Sequence, residues 1–206
     1  MKKSYAFYMD ASRCMGCKAC VIACKDGHDL PLGLNWRRVP ECTGGAWAEH
    51  ADGTYTQNVF SYYLSVACNH CESPVCVKAC PTGAMHKTED GIVQVDATRC
   101  VGCNNCAWNC PYSAPQLDKS KKHMTKCNFC RERLEVGQKP LCVAACPARA
   151  LDFGPREELI AKYGRANIAP LPPASMTEPN LAVVAHKDAQ PANTRKPFLA
   201  NKEELS

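Results

Sequence analysis

The sequence predicts an α+β protein made of two small related modules, one inserted within the other. Three observations carry that expectation. Seventeen cysteines stand among 206 residues, and sixteen of them fall into four tight groups of four. The stretch Met9-Asp10-Ala11-Ser12-Arg13-Cys14-Met15-Gly16-Cys17 returns 86 residues later as Val95-Asp96-Ala97-Thr98-Arg99-Cys100-Val101-Gly102-Cys103. A second echo links Cys80-Pro81-Thr82-Gly83-Ala84-Met85 with Cys146-Pro147-Ala148-Arg149-Ala150-Leu151. Internal similarity of this kind marks a structural unit used more than once.

Group I is Cys14-x2-Cys17-x2-Cys20-x3-Cys24, and group II is Cys68-x2-Cys71-x4-Cys76-x3-Cys80-Pro81. Group III is Cys100-x2-Cys103-x2-Cys106-x3-Cys110-Pro111, and group IV is Cys127-x2-Cys130-x11-Cys142-x3-Cys146-Pro147. A disulfide framework belongs to short secreted domains with cysteines dispersed along the sequence, which this grouping and the odd total disfavour. Structural zinc needs one tetrahedron, usually two CxxC knuckles across a longer loop. Only group IV could pass for such a knuckle. Three cysteines at x2-x2 spacing wrap a short loop around three corners of a cubane. A fourth, three residues on and followed by proline, reaches a neighbouring cluster, the run of bacterial two-cluster ferredoxins. Group I carries Lys25 in place of that proline, with its cysteine spacing intact. Sixteen ligands make four [4Fe–4S] clusters.

Groups II and III form one bacterial-ferredoxin-like module, residues 66–115. Within it, residues 84–87 and 92–95 read as a hairpin turning at Glu89-Asp90-Gly91. Group IV resembles group II and group I resembles group III, so residues 1–25 and 116–169 form a second, split module around the first. In that module residues 150–153 pair with the N-terminal strand 5–9. If each fourth cysteine serves the neighbouring cluster, Cys14, Cys17, Cys20 and Cys146 hold cluster 1, and Cys24, Cys127, Cys130 and Cys142 hold cluster 2. Cys68, Cys71, Cys76 and Cys110 then hold cluster 3, and Cys80, Cys100, Cys103 and Cys106 hold cluster 4. Gly16 and Gly102 allow close backbone approach to a cluster, or serve only as turn glycines.

Residues 26–65 read as a hairpin insertion turning near Asp52-Gly53, with a strand-like run over 59–66. They contain Cys42, expected to be a buried free thiol, and Arg37-Arg38, which lie internally without a following apolar run and so are no export signal. His28, His70, His86 and His123 lie near cysteine groups but are surplus to the ligands, and ordinary hydrogen-bonded histidines are expected. Residues 156–163 read as a helix after Gly154-Pro155. Residues 170–206 hold Pro172-Pro173 and little apolar periodicity, and are expected to extend away or wrap another subunit. No run approaches the ~18 apolar residues of a membrane helix, and Asp10 interrupts the N-terminal apolar segment before a secretory leader can form. The formal charge is +5. Four oxidised clusters with their thiolates would turn that sum negative, so the basic residues read as compensation for buried anions, with no nucleic acid as partner.

At this level the sequence resembles the four-cluster ferredoxin-type subunits of molybdopterin oxidoreductases. The stretches Cys68-Asn69-His70-Cys71-Glu72, Gly83-Ala84-Met85-His86-Lys87, His123-Met124-Thr125-Lys126-Cys127 and Ala150-Leu151-Asp152-Phe153-Gly154-Pro155 are similar to the iron–sulfur subunits of anaerobic dimethyl sulfoxide reductases. Some relatives replace a group III cysteine and hold a [3Fe–4S] centre; Cys103 and Cys106 are kept here. The resemblance implies a non-catalytic electron relay. Its partners would be a molybdopterin catalytic subunit and an integral membrane anchor that oxidises menaquinol. It also implies co-export with the catalytic subunit to the periplasmic face, with the cytoplasmic face as the alternative. The cysteine pattern alone serves thiosulfate, polysulfide or tetrathionate reductases and formate dehydrogenases equally. A zinc-stabilised scaffold or nucleic-acid-binding protein is the rival from another class. Metal analysis separates the two: iron with equimolar acid-labile sulfide is expected, and zinc without iron would refute the relay.

Overall fold

The strand Tyr5–Asp10, rich in aromatic residues that suit a pleated surface, is the centre of a three-stranded sheet. On one side it pairs antiparallel with Leu151–Pro155, Phe7 opposite Phe153 and Met9 opposite Leu151. On the other it pairs parallel with Leu181–Val184. Ala6, Phe7 and Met9 are buried, and the Phe7 ring stacks on Phe129 with centroids 4.0 Å apart. The computed structural model describes residues 4–192, 194 and 198–205. Its elements are short strands and short helices, an α+β fold.

The repeat noted in the sequence is a repeat of structure. Helix Ala19–Asp26 follows the group I loop as Asn105–Asn109 follows the group III loop, and each starts after a residue with left-handed backbone, Lys18 and Asn104. The difference in length has a simple cause. Pro111 holds Cys110 in extended backbone, so the second helix stops at Asn109, whereas Lys25 lets the first continue through Cys24. The Lys25 Nζ then donates to the carbonyls of Pro31 and Leu34 at 2.7 and 2.9 Å. Helices Val75–Lys78 and Leu141–Ala144 likewise correspond, each entered from a proline and each carrying one cysteine, Cys76 or Cys142. The x11 gap of group IV is occupied by one extra helix, Arg131–Glu135.

The hairpin Met85–Lys87 with Val93–Val95 is present, as is the exposed hairpin Trp47–Glu49 with Tyr55–Gln57. Strand Glu41–Gly44 lies between Phe60–Tyr63 and Phe198–Leu199. The described residues of the segment 170–206 depart from one expectation, because they fold onto their own chain. Leu181–Val184 completes the central sheet, and Thr177, Asn180, Leu181 and Ala182 are buried. Four residues are too few to announce a strand by periodicity, and their partner lies at the other end of the chain. Asn180 anchors the segment: its Nδ2 donates to the His70 carbonyl at 2.8 Å, its Oδ1 accepts from Arg165 at 3.0 Å, and its N–H donates to the Asn69 carbonyl at 3.0 Å. Asn180→Ala would leave the buried His70 carbonyl without this donor. It is expected to cost about 1–3 kcal/mol in denaturant unfolding of the full chain; an unchanged midpoint would show the anchor to be dispensable.

Candidate metal centres

The Cys14 and Cys100 loops begin with the same local device. Asp10 Oδ1 accepts from the Ser12 N–H and hydroxyl at 3.0 and 2.6 Å, and Asp96 Oδ1 accepts from the Thr98 N–H and hydroxyl at 2.9 and 2.6 Å. These Asx turns bend the chain out of the preceding segment. Gly16 and Gly102 then take left-handed backbone, with φ of 70° and 66°. The result curls three cysteines around one space.

One such space is lined by Cys14, Cys17 and Cys20 of group I and by Cys146 of group IV. Its counterpart is lined by Cys100, Cys103 and Cys106 of group III and by Cys80 of group II. Much of the two linings corresponds, with Met15, Pro147, Ala150 and Leu151 in the first standing where Val101, Pro81, Ala84 and Met85 stand in the second; Lys18, Val39 and Ser65 line only the first, and Val95 and Met124 only the second. Backbone N–H groups point at three of the outer thiols: Met85 N to Cys80 Sγ, Ala150 N to Cys146 Sγ and Met124 N to Cys100 Sγ, each at 3.3 Å. Such donors stabilise negative sulfur. Against the effect of burial, those from Met85, Thr82 and Ala84 hold the Cys80 thiol below its ordinary value.

The other two sets lie deeper. Cys24, Cys127, Cys130 and Cys142 are all buried. Burial pushes the Cys24 thiol up to about 12, with Cys142 and Cys130 adding to the rise and Arg37 opposing it. Cys127 is raised by burial and then by Cys24, Cys68 and Cys142. Cys71 and Cys76 are each pushed up to about 12 by burial, reinforced by Cys68 and Cys110. Cysteines from different groups therefore lie close enough to feel one another: Cys24 feels Cys142 and Cys130, and Cys71 and Cys76 feel Cys110. Consecutive sets also adjoin. Cys20 feels Cys142, Cys127 feels Cys68, and helix Val75–Lys78 packs on Asn105–Asn109, carrying Cys76 toward Cys106.

The donor chemistry fits iron–sulfur clusters. Among the described residues no three His, Cys, Asp or Glu side chains close on a point sized for one ion. The thiols of the two outer sets stand instead around cavities, which a multi-iron core requires and a tetrahedral zinc does not. Cys17 and Cys103 are exposed, one in each outer set. Cys42 is buried at the register position opposite Tyr62, away from these sets. The four histidines are hydrogen bonded: His70 Nδ1 accepts from Val93 N, and His86 and His123 meet the carbonyls of Ala84 and Met124, all at 3.0 Å. His28 goes further, its Nε2 lying 3.3 Å from Cys130 Sγ.

Sequence reasoning missed the buried cations. Arg37, Arg38 and Lys126 are all buried, although long charged side chains usually reach solvent. The Lys126 Nζ donates to the carbonyls of Val93 and Cys127. Its place beside Cys127 was a usable signal; that of Arg37 and Arg38, thirty residues from group II, was not. A Cβ on Gly16 would first meet the Tyr63 ring, at 2.6 Å, whereas one on Gly102 would stand 2.8 Å from the backbone oxygen of Lys122. Gly102→Ala is therefore expected to lower iron per chain by more than Gly16→Ala, because a ring can rotate aside and a carbonyl cannot. Equal losses in iron assays would contradict this.

The comparisons with known proteins agree with this donor set. The family model of the 4Fe–4S dicluster domain matches residues 59–156. The sequence is 53% identical to the B subunit of anaerobic dimethyl sulfoxide reductase from Haemophilus influenzae, over 98% of this chain and all of that protein. It is 50% identical to the B subunit of the Escherichia coli enzyme over the full length of both. The thiosulfate reductase electron transfer subunit of Salmonella typhi is 41% identical, over 77% of this chain and 79% of its own. The protein is thus a [4Fe–4S] electron-transfer subunit without a catalytic role of its own, and among the described residues no helix is long and apolar enough to cross a membrane. The chain accordingly belongs to the family of anaerobic dimethyl sulfoxide reductase B subunits.

Proposed function

We propose that this protein carries four [4Fe–4S] clusters, wired across the cysteine groups, between a quinol-oxidising membrane anchor and a molybdopterin catalytic subunit. Cluster 1 is held by Cys14, Cys17, Cys20 and Cys146, and cluster 2 by Cys24, Cys127, Cys130 and Cys142. Cluster 3 is held by Cys68, Cys71, Cys76 and Cys110, and cluster 4 by Cys80, Cys100, Cys103 and Cys106. The observation that carries this reading is the pair of matching cavities, each lined by three cysteines of one group and the last of another. The division into residues 1–25 with 116–169, around an inserted 66–115, follows from the same pairing. Its support is the antiparallel register of Tyr5–Asp10 with Leu151–Pro155.

Bound clusters supply one-electron carriers; the chain holds them, excludes water and balances their charge. The two outer sets bear the exposed Cys17 and Cys103, so these are the ends of the relay. Beside them Met15, Val101 and Trp108 are 62, 66 and 77% exposed, apolar surface suited to partner subunits. The catalytic partner is a dimethyl sulfoxide reductase. The full-length identity of 50–53% to those B subunits favours it over the thiosulfate enzyme, matched at 41% over 77% of the chain. The complex sits at the periplasmic face, the chain exported together with its catalytic subunit.

Sixteen irons per chain are expected. Cys146→Ala and Cys14→Ala should each remove the same electron paramagnetic resonance signal, and Cys142→Ala a different one. Loss of one signal by both Cys146→Ala and Cys142→Ala, with Cys14→Ala affecting another, would overturn the crossed wiring. Recovery of a different molybdopterin enzyme on affinity purification would overturn the choice of catalytic partner.

A further inference from the structure

Arg37 is 2% exposed, and among the described residues no carboxylate pairs with it. Its Nη1 donates to the Ser65 carbonyl and hydroxyl at 3.2 and 3.1 Å, and its guanidinium carbon lies 4.8 Å over the Phe7 ring. Nε and Nη2 are buried without a hydrogen-bond partner among the described residues. An unpaired buried cation is costly, so a fold that keeps one supplies a counter-charge. Burial disfavours the Arg37 charge, and the groups that oppose burial are Cys142, Cys20, Cys127 and Cys24, which are anionic only as the thiolates that hold a cluster. One belongs to the set with Cys14, Cys17 and Cys146, and three to the set with Cys130. The Ser65 hydroxyl, which helps aim the guanidinium, lies 3.2 Å from Cys20 Sγ.

We propose that Arg37 is a positioning residue shared by two neighbouring clusters, its free Nε–H and Nη2–H serving as donors toward their sulfurs and its charge raising both reduction potentials. This rests on the ligand sets given above. Reduction adds one negative charge to a centre, and a fixed cation stabilises that form more than the oxidised one. The orphaned donors explain why the side chain is held by only two bonds to Ser65. An arginine placed only for packing would be expected to have its remaining donors satisfied by carbonyls. The guanidinium stays charged at any working pH, so the bias is constant.

The test is redox-poised electron paramagnetic resonance on the assembled, anaerobically isolated complex, comparing wild type with Arg37→Gln at matched iron content. Arg37→Gln is expected to lower the equilibrium constant for reduction about tenfold at two of the four centres, about 59 mV for a one-electron couple. The other two should move far less. Sixteen irons with four unmoved midpoints, or four midpoints shifted alike, would overturn the role of Arg37 alone. Fewer than sixteen irons in the wild type would overturn the four-cluster reading itself. If Arg37→Gln sheds iron, Ser65→Ala decides. Ser65 touches a thiol of the first set only, so a shift that extends to the second centre supports the proposal, and one confined to the first overturns it.

Discussion

The backbone ladder between Tyr5–Asp10 and Leu151–Pro155 ties together parts of the chain nearly 150 residues apart, and the cysteine geometry rests on it. The ladder ends where Asp10 N–H donates to the Ala150 carbonyl at 2.8 Å. Four residues later on one side stands Cys14, and four residues earlier on the other stands Cys146. The same register lays helix Ala19–Asp26 against Leu141–Ala144, which brings Cys24 beside Cys142. Two of the four cysteine sets therefore depend on one strand pairing. The parallel strand Leu181–Val184 on its far edge makes Tyr5–Asp10 a central strand, better protected than the N-terminal edge strand it would otherwise be.

Electrostatics couples this framework to its cargo. Burial, reinforced by neighbouring cysteines, pushes Cys24, Cys71 and Cys76 up to about 12 and Cys106 up to about 11, so these thiols in the bare protein stay protonated. Metal-bound cysteine is a thiolate, and loading a cluster therefore expels protons and creates buried negative charge. Arg37, Arg38 and Lys126 stand ready inside for that charge. The basic balance of the bare sequence is consequently a property of half a system, and surface lysines need no anionic partner to explain them.

Much of this was legible in the sequence because cluster loops are local. Gly16 and Gly102, the Asp10 and Asp96 turns, and the cysteine spacings of groups I and III all act within about ten residues, so their pattern survives in one dimension. The repeat made the Leu151–Pro155 partner visible as well, since the hairpin Met85–Lys87 with Val93–Val95 is its local counterpart. What escaped was set by tertiary placement. Leu181–Val184 is too short for a periodic signature. Arg37 and Arg38 look like surface residues until Ser65 and Phe7 close over the first and the Tyr112 carbonyl accepts from the second at 2.6 Å. His28 meets Cys130 only after the chain has crossed 102 residues.

The most direct measurement of the central claim is an anomalous difference map at the iron edge from crystals of the loaded protein. Four separate iron peaks are expected, each bordered by three cysteines of one group and one of another, with Cys146 beside the group I peak and Cys80 beside the group III peak. A peak enclosed by all four cysteines of a single group would contradict the account.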